Sequence, residues 1–185
     1  MRRILVIGPG GAGKTVFSKS LGQVLNLPVV HLDSLYWHPG WRPTPPEEWD
    51  RLVDGITHGP SWILDGNYGR TLERRLAKAD SIFFLDLPRL LCIWRVLRRR
   101  VAYSGGSRPS VTEGCPERVT WEFIRWIWTF RKRKRPGIHA LLREVETEKV
   151  VTVLRSPTEV RAYLAGLTPP VQAEGKAEDP EDRSR

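Results

Sequence analysis

The residues with the most chemistry in them form one run near the start of the chain. Gly8-Pro9-Gly10-Gly11-Ala12-Gly13-Lys14-Thr15 follows directly on the apolar segment Ile4-Leu5-Val6-Ile7. The run fits the phosphate-loop pattern G-x-x-x-x-G-K-[ST] at every fixed position. Glycines let the backbone turn tightly, so that several N–H groups converge on phosphate oxygens. The helix that begins there adds its positive end. Lys14 is the cation for the β- and γ-phosphates, and the Thr15 hydroxyl is a ligand for Mg²⁺. Gly8, Gly10, Gly11, Ala12, Gly13, Lys14 and Thr15 are therefore the expected contacts of a nucleoside triphosphate. Gly8, Gly10 and Gly13 also satisfy G-x-G-x-x-G, and Asp33 lies near the place of a dinucleotide fold's ribose acid. Gly13-Lys14-Thr15 decides for the triphosphate, because a dinucleotide turn needs neither the lysine nor the hydroxyl.

Two acids close predicted strands on the same rim. Asp65 ends Ser61–Asp65, where it can serve Mg²⁺ through water, orient an acceptor, or cap a turn. Asp33 ends Leu27–Asp33, where it can hold or deprotonate an acceptor hydroxyl, or form an Asx turn with Ser34. Arg95 and Arg99 stand four apart and share one helix face. Guanidinium forks suit phosphate better than an ammonium does. Tyr36, Trp37, Trp41, Trp49 and Tyr68 offer either base stacking or packing. Trp121, Trp126 and Trp128, at helical spacing, read as packing. His31, His38, His58 and His139 show no ligand spacing.

Strand and helix patterns alternate along the chain that must position these groups. Strands are expected at 2–7, 27–33, 61–65, 81–86 and 149–154, and helices at 14–25, 71–79, 88–101 and 117–131. Thr44-Pro45-Pro46-Glu47 and Ser156-Pro157-Thr158-Glu159 have capping-box spacing and predict two more helix starts. Residues 103–116 lack periodicity and read as loop, and the polar, proline-containing tail 168–185 reads as disordered. The alternation predicts an α/β fold with a parallel sheet covered on both faces. Ligands would sit at the carboxyl ends of its strands.

The chain has 185 residues, 40% of them hydrophobic, which is enough for one domain with a real core. Its net charge of +9 is concentrated, since residues 89–135 carry thirteen Lys/Arg against three Glu. Something anionic is handled there. Arg131-Lys132-Arg133-Lys134-Arg135 is either an exposed helix end or a weak, salt-sensitive contact for nucleic-acid phosphates. No apolar stretch reaches membrane-spanning length, and the first strand leaves no room for a signal peptide. Cys92 and Cys115 are too far apart for a disulfide framework, so a reducing cytoplasm is expected.

Several strings resemble adenylate-kinase-type nucleotide kinases. Leu64-Asp65-Gly66-Asn67-Tyr68-Gly69-Arg70-Thr71 is similar to that family's Leu-Asp-Gly-Phe-Pro-Arg-Thr string, with one residue more. Asp86-Leu87-Pro88 and Arg95–Val101 resemble its fourth strand end and the arginine helix leading to its lid. His31–Trp37, Pro39-Gly40-Trp41, Asp65–Tyr68 and Gly114-Cys115-Pro116-Glu117 look like a bacterial subgroup labelled DNA topology modulation or adenylate-kinase-related proteins.

The resemblance spans residues 2–165. It implies a three-layer P-loop fold of strand order 2-3-1-4-5 over residues 1–167, with a lid near 103–120. It further implies ATP and Mg²⁺, a monomer, and a phosphotransferase acting on a nucleotide, nucleoside or similar small acceptor. Lys14, Asp33, Arg95 and Arg99 would be catalytic. Asp33, Tyr36, Asp65, Tyr68 and Arg70 would hold the acceptor, and Thr15 and Asp65 the metal. Arg108 and Arg125 are further lid candidates. The family's Arg-x-Asp-Asp lid string is absent, and the aromatic segment 36–41 has no counterpart in ordinary adenylate kinases, so the acceptor pocket is expected to differ. The alternative is a nucleic-acid-binding protein with a regulatory nucleotide site. A guanine-specific switch is set aside for want of an Asn-Lys-x-Asp string.

Overall fold

The computed structural model describes residues 1–103, 112–116 and 118–167. Gly105, Gly106, Arg108, Glu117 and the tail 168–185 lie outside them. Five strands form one sheet: β1 (Arg3–Ile7), β2 (Val29–His31), β5 (Trp62–Asp65), β6 (Ser81–Leu85) and β7 (Val150–Leu154). Their spatial order is β2-β5-β1-β6-β7, and every pairing is parallel. Counted along the chain, that is the expected 2-3-1-4-5. The order reverses beside β1, so the crevice for a ligand opens at the end of β1, where the glycine run begins.

Period-two alternation sends the β1 side chains to both faces. Leu5 and Ile7 join Leu64, Ile82 and Phe84 under α3 (Pro46–Thr57), α4 (Gly69–Lys78) and α7 (Arg135–Val145). Ile4 and Val6 join Ile63, Phe83 and Leu85 under α1 (Lys14–Leu25), α5 (Arg89–Ala102) and α8 (Pro157–Leu167). Strands buried on both sides read as continuous apolar runs, which is why they were legible.

Four local expectations are corrected. The second strand stops at His31, and a short helix α2 (Leu32–Tyr36) puts Asp33 in its first turn. Residues 36–43 form a hairpin, β3 (Trp37–His38) with β4 (Arg42–Pro43), through Gly40 and Trp41 at φ 78° and 62°. Thr44 does not cap α3, because its hydroxyl reaches the carbonyls of Leu35 and Tyr36 instead. The helix expected from 117 begins as α6 (Trp121–Arg133), where the Thr120 hydroxyl accepts the Phe123 N–H at 3.2 Å. A separate α7 then follows. The second capping box forms as expected, with Ser156 Oγ accepting the Glu159 N–H at 3.1 Å and Glu159 accepting the Arg155 N–H at 2.8 Å.

Asp80 ties the amino-terminal ends of β1 and β6 together, accepting the N–H groups of Arg2 and Arg3 at 2.9 Å each. Burial disfavours its charge, but these two amides and the Ser81 hydroxyl outweigh burial and hold the carboxyl below its ordinary value. A depressed carboxylate pKa stabilises the fold above the unfolded value and loses that stabilisation as pH falls through the folded value. Asp80→Asn is therefore expected to lower the thermal midpoint at neutral pH. The gap from wild type should close below about pH 4. Midpoints measured across pH check it, and a gap independent of pH would refute it.

Candidate active site

The cradle comes first. Gly8, Gly11 and Gly13 have φ of 151°, 80° and 93°. A Cβ on Gly11 would meet the Cys92 carbonyl oxygen at 2.2 Å, and one on Gly8 the Leu85 carbonyl oxygen at 2.6 Å. Only glycine lets the loop lie this close to α5 and β6. Lys14 Nζ donates to the carbonyls of Gly8 and Pro9 at 3.0 and 3.2 Å, curling back across the loop's mouth. Asn67 clamps the loop from β5: its Oδ1 accepts the Gly8 N–H at 2.9 Å and its Nδ2 donates to the Gly8 carbonyl at 2.6 Å. Burial beneath the loop pushes the Cys92 thiol up to about 11, so it is an inert packing group.

Thr15 and Asp65 are in direct contact. The Thr15 hydroxyl donates to Asp65 Oδ2 at 2.9 Å, and His31 Nδ1 lies 3.0 Å from the same oxygen. Asp65 is 5% exposed. A hydroxyl and a buried carboxylate form a hard oxygen pair beside the phosphate cradle, which fits Mg²⁺. Mg²⁺ usually keeps several waters and takes its other ligands from the phosphates. Accordingly, no group of three or more metal-ligating side chains occurs among the described residues. Spacing assigns His31 no ligand role. Its role follows from the sheet register alone, which sets it opposite Asp65.

Two adjoining cavities meet at this point. One, of about 400 Å³, is lined by the cradle, Lys19, Asp65, Arg95 and Tyr103. The other, of about 480 Å³, is lined by Trp37, Trp41, Asn67, Tyr68, Arg118 and Thr120. Asp33, Arg99, Phe123 and Trp126 line both. Of the basic residues in α5, Arg95 and Arg99 enter the cleft, and Arg95 Nη1 donates to the Ala12 carbonyl at 3.2 Å. Arg89 and Arg98 instead lie over Trp128 and Trp94, at 3.8 and 5.4 Å. Trp126 packs on both cores, as read, and with Phe123 stacked against it also forms cleft wall. Trp121 is 74% exposed.

Tyr68 and Asp33 are joined, the phenol donating to Oδ1 at 2.8 Å. Tyr68 sits at φ 28°, a strained conformation for a side-chain-bearing residue. Arg75 holds that turn in place. It is fully buried and donates to the carbonyls of Gly66, Asn67 and Tyr68 and to the Thr71 hydroxyl. Burial draws its guanidinium down to about 9, so it remains a cation at neutral pH. Nothing in the sequence marked it out, because a helix arginine reads as exposed.

Tyr36 and Arg70 lie outside the two cavities. Tyr36 packs on Trp37, Trp49 and Tyr68, with centroids 4.9, 5.0 and 4.7 Å away, behind the wall of the aromatic cavity. Arg70 forms a forked pair with Asp50 of α3 at 2.9–3.1 Å. Arg125 is exposed on the solvent side of α6. The hairpin is latched by the segment before α6. Thr112 donates to the Ser34 carbonyl at 2.7 Å, Cys115 to that of His38 at 3.2 Å, and Trp41 to that of Pro116 at 3.1 Å. That contact gives Cys115 its place, and Arg118 lies 4.9 Å over the Trp41 ring.

No family model matches this chain, and no curated protein matches it. Among solved structures it is similar to a shikimate kinase from Acinetobacter baumannii in complex with shikimate, at 17% identity over 90% of each chain with a TM-score of 0.53. It is also similar to a shikimate kinase from Bacteroides thetaiotaomicron, at 15% identity over 90% of this chain and 96% of that one with a TM-score of 0.46. At such identity the first likeness shows a shared fold, and the second carries no argument.

Proposed function

We propose that the chain is an ATP-dependent phosphotransferase of the adenylate-kinase-like superfamily, acting on a small acceptor that carries a hydroxyl or phosphate. One observation carries this reading: Asp33 and Arg99 line both the phosphate cavity and the aromatic cavity beside it. A group passing from one cavity to the other passes these two side chains. The fold's likeness to a kinase supports the reading without naming an acceptor.

The triphosphate would lie along the cradle. A third cavity of about 300 Å³, lined by Gly13, Val16, Arg95 and Pro157, adjoins the loop and suits a flat base. ATP would supply the phosphoryl group, and Thr15 and, through water, Asp65 would hold a Mg²⁺ ion that would offset its charge. Lys14 leaves its carbonyl partners for the β- and γ-oxygens. Arg95 and Arg99 place positive charge where the transferring group gains negative charge. For a hydroxyl acceptor, Asp33 takes the hydroxyl proton as the new O–P bond forms and the bond to the ADP oxygen breaks. Tyr68 orients that carboxylate. Trp37, Trp41, Phe123 and Trp126 give the acceptor an apolar, ring-lined seat.

Asp33→Asn keeps the size and the Tyr68 partner but removes the base. It is expected to lower kcat for a hydroxyl acceptor about 10²-fold with KM for ATP little changed. ATP consumption across a panel of nucleosides, monophosphates and small hydroxy compounds checks this. Silence of the wild-type chain over the whole panel, or equal kcat in the variant, would overturn the proposal.

A further inference from the structure

The basic run 131–135 is divided between two helices. Arg131, Lys132 and Arg133 close α6, where positive charge suits the helix dipole. Arg135 opens α7, where it does not. It turns inward instead and donates from Nε to Asp86 Oδ2 at 2.7 Å. Around that pair lies a cavity of about 200 Å³, separate from the cleft. Arg89 at the start of α5, Arg131 at the end of α6, Arg135 at the start of α7 and Arg155 just after β7 all line it. Asp86 is the one carboxylate among the lining residues.

Four arginines from separate segments of the chain therefore line one small hollow that holds a single carboxylate. Both helices that start there, α5 and α7, lack an acidic residue in the first turn and a side-chain cap. Each begins with an arginine, against its own dipole. Two of the arginines are held in place, Arg135 by Asp86 and Arg89 by the Trp128 ring. Arg89, Arg131 and Arg155 are exposed around its mouth, and like charges set around one opening repel unless an anion offsets them.

We infer that this hollow is a binding site for a compact phosphate-bearing anion of pyrophosphate size. Forked donors match phosphate oxygens, and the starts of α5 and α7 add in the same sense, offset in part by the C-terminal end of α6 beside them. Pro9 of the phosphate loop forms part of the wall. α6 contributes Phe130 and Arg131 to this hollow, and Phe123 and Trp126 to the cleft. The occupant thus touches the same loop and helix as the proposed nucleotide site, from the other side. The inference does not depend on the chain being a kinase.

Calorimetric titration of the full-length protein with pyrophosphate tests it, in a Lys14→Ala background that weakens the cradle's own hold on phosphate. Binding is expected to persist in that background, and to weaken about tenfold or more when Arg131→Gln and Arg155→Gln are added. Unchanged affinity after the double substitution, or no heat in the Lys14→Ala protein, overturns the site. If the double variant fails to fold, phenylglyoxal labelling of the wild-type chain replaces it. Pyrophosphate should protect Arg131 and Arg155 while leaving Arg125 reactive, and equal labelling of all three overturns the proposal. A short DNA duplex forms the second arm. Displacement of bound duplex by pyrophosphate, or no duplex binding, agrees with a compact ligand. Duplex binding that the double substitution abolishes, with no pyrophosphate heat, overturns it in favour of a nucleic-acid backbone surface.

Discussion

Lys14→Ala is expected to lower phosphoryl transfer about 10³-fold and to weaken MgATP binding, while leaving the fold intact. The ammonium is the cation set directly on the cradle, and it spans the loop by holding the Gly8 and Pro9 carbonyls. Those carbonyls can turn to water when the ammonium leaves for a phosphate, so the exchange costs little. Removing the side chain takes away the charge that the moving phosphoryl group meets. It also relieves α1 of a positive residue at its positive end, so stability should change by no more than about 0.5 kcal/mol. Lys14→Arg should not restore the rate, because a planar fork does not fit a seat shaped for a compact ammonium. Calorimetry with MgATP and a steady-state assay check both parts. Affinity and rate within twofold of wild type would refute the role of the cradle.

Arg75→Leu is expected to destabilise the protein by about 3–5 kcal/mol, because each buried carbonyl left without a donor costs about 1–3 kcal/mol. Three such carbonyls, those of Gly66, Asn67 and Tyr68, lose their partner at once. In a domain of this size the thermal midpoint should fall by about 10 °C. The damage should also reach the cleft. The strained Tyr68 turn relaxes, the Tyr68–Asp33 link loosens, and Asn67 loses its fixed grip on Gly8. Arg75→Lys should recover little, since one ammonium cannot reach three carbonyls and the Thr71 hydroxyl together. Thermal melts of both variants give the answer. A loss under about 1 kcal/mol for Arg75→Leu would show that water satisfies those carbonyls and that Arg75 is not their keeper.

The candidate site was legible where its parts are contiguous. Gly8–Thr15 is a local backbone device, so spacing alone exposed it. Asp65 was visible because it closes an apolar run, and Arg95 and Arg99 because four residues make one helical turn. The parts built across the chain were not legible. His31 meets Asp65 through strand register, Asn67 meets Gly8 across 59 positions, and Arg75 acts back on the turn before its own helix. Residue type left other positions undecided. Arg70 matched a family string, yet its guanidinium pairs with Asp50 of α3. Trp126 read as packing, because periodicity marks the inner face of a helix without saying whether a core or a cleft lies against it.

By itself the sequence determined a parallel, doubly covered sheet and a glycine cradle made for phosphate. Both follow from short-range rules, namely period-two and period-3.6 burial and the φ values that glycine alone takes without strain. Only the tertiary structure decided which of eight tryptophans wall the aromatic cavity and which arginines enter the cleft. It alone drew four others around Asp86. Those outcomes depend on how helices distant in sequence pack over one sheet edge, and burial and charge balance are settled there only when all the neighbours are in place.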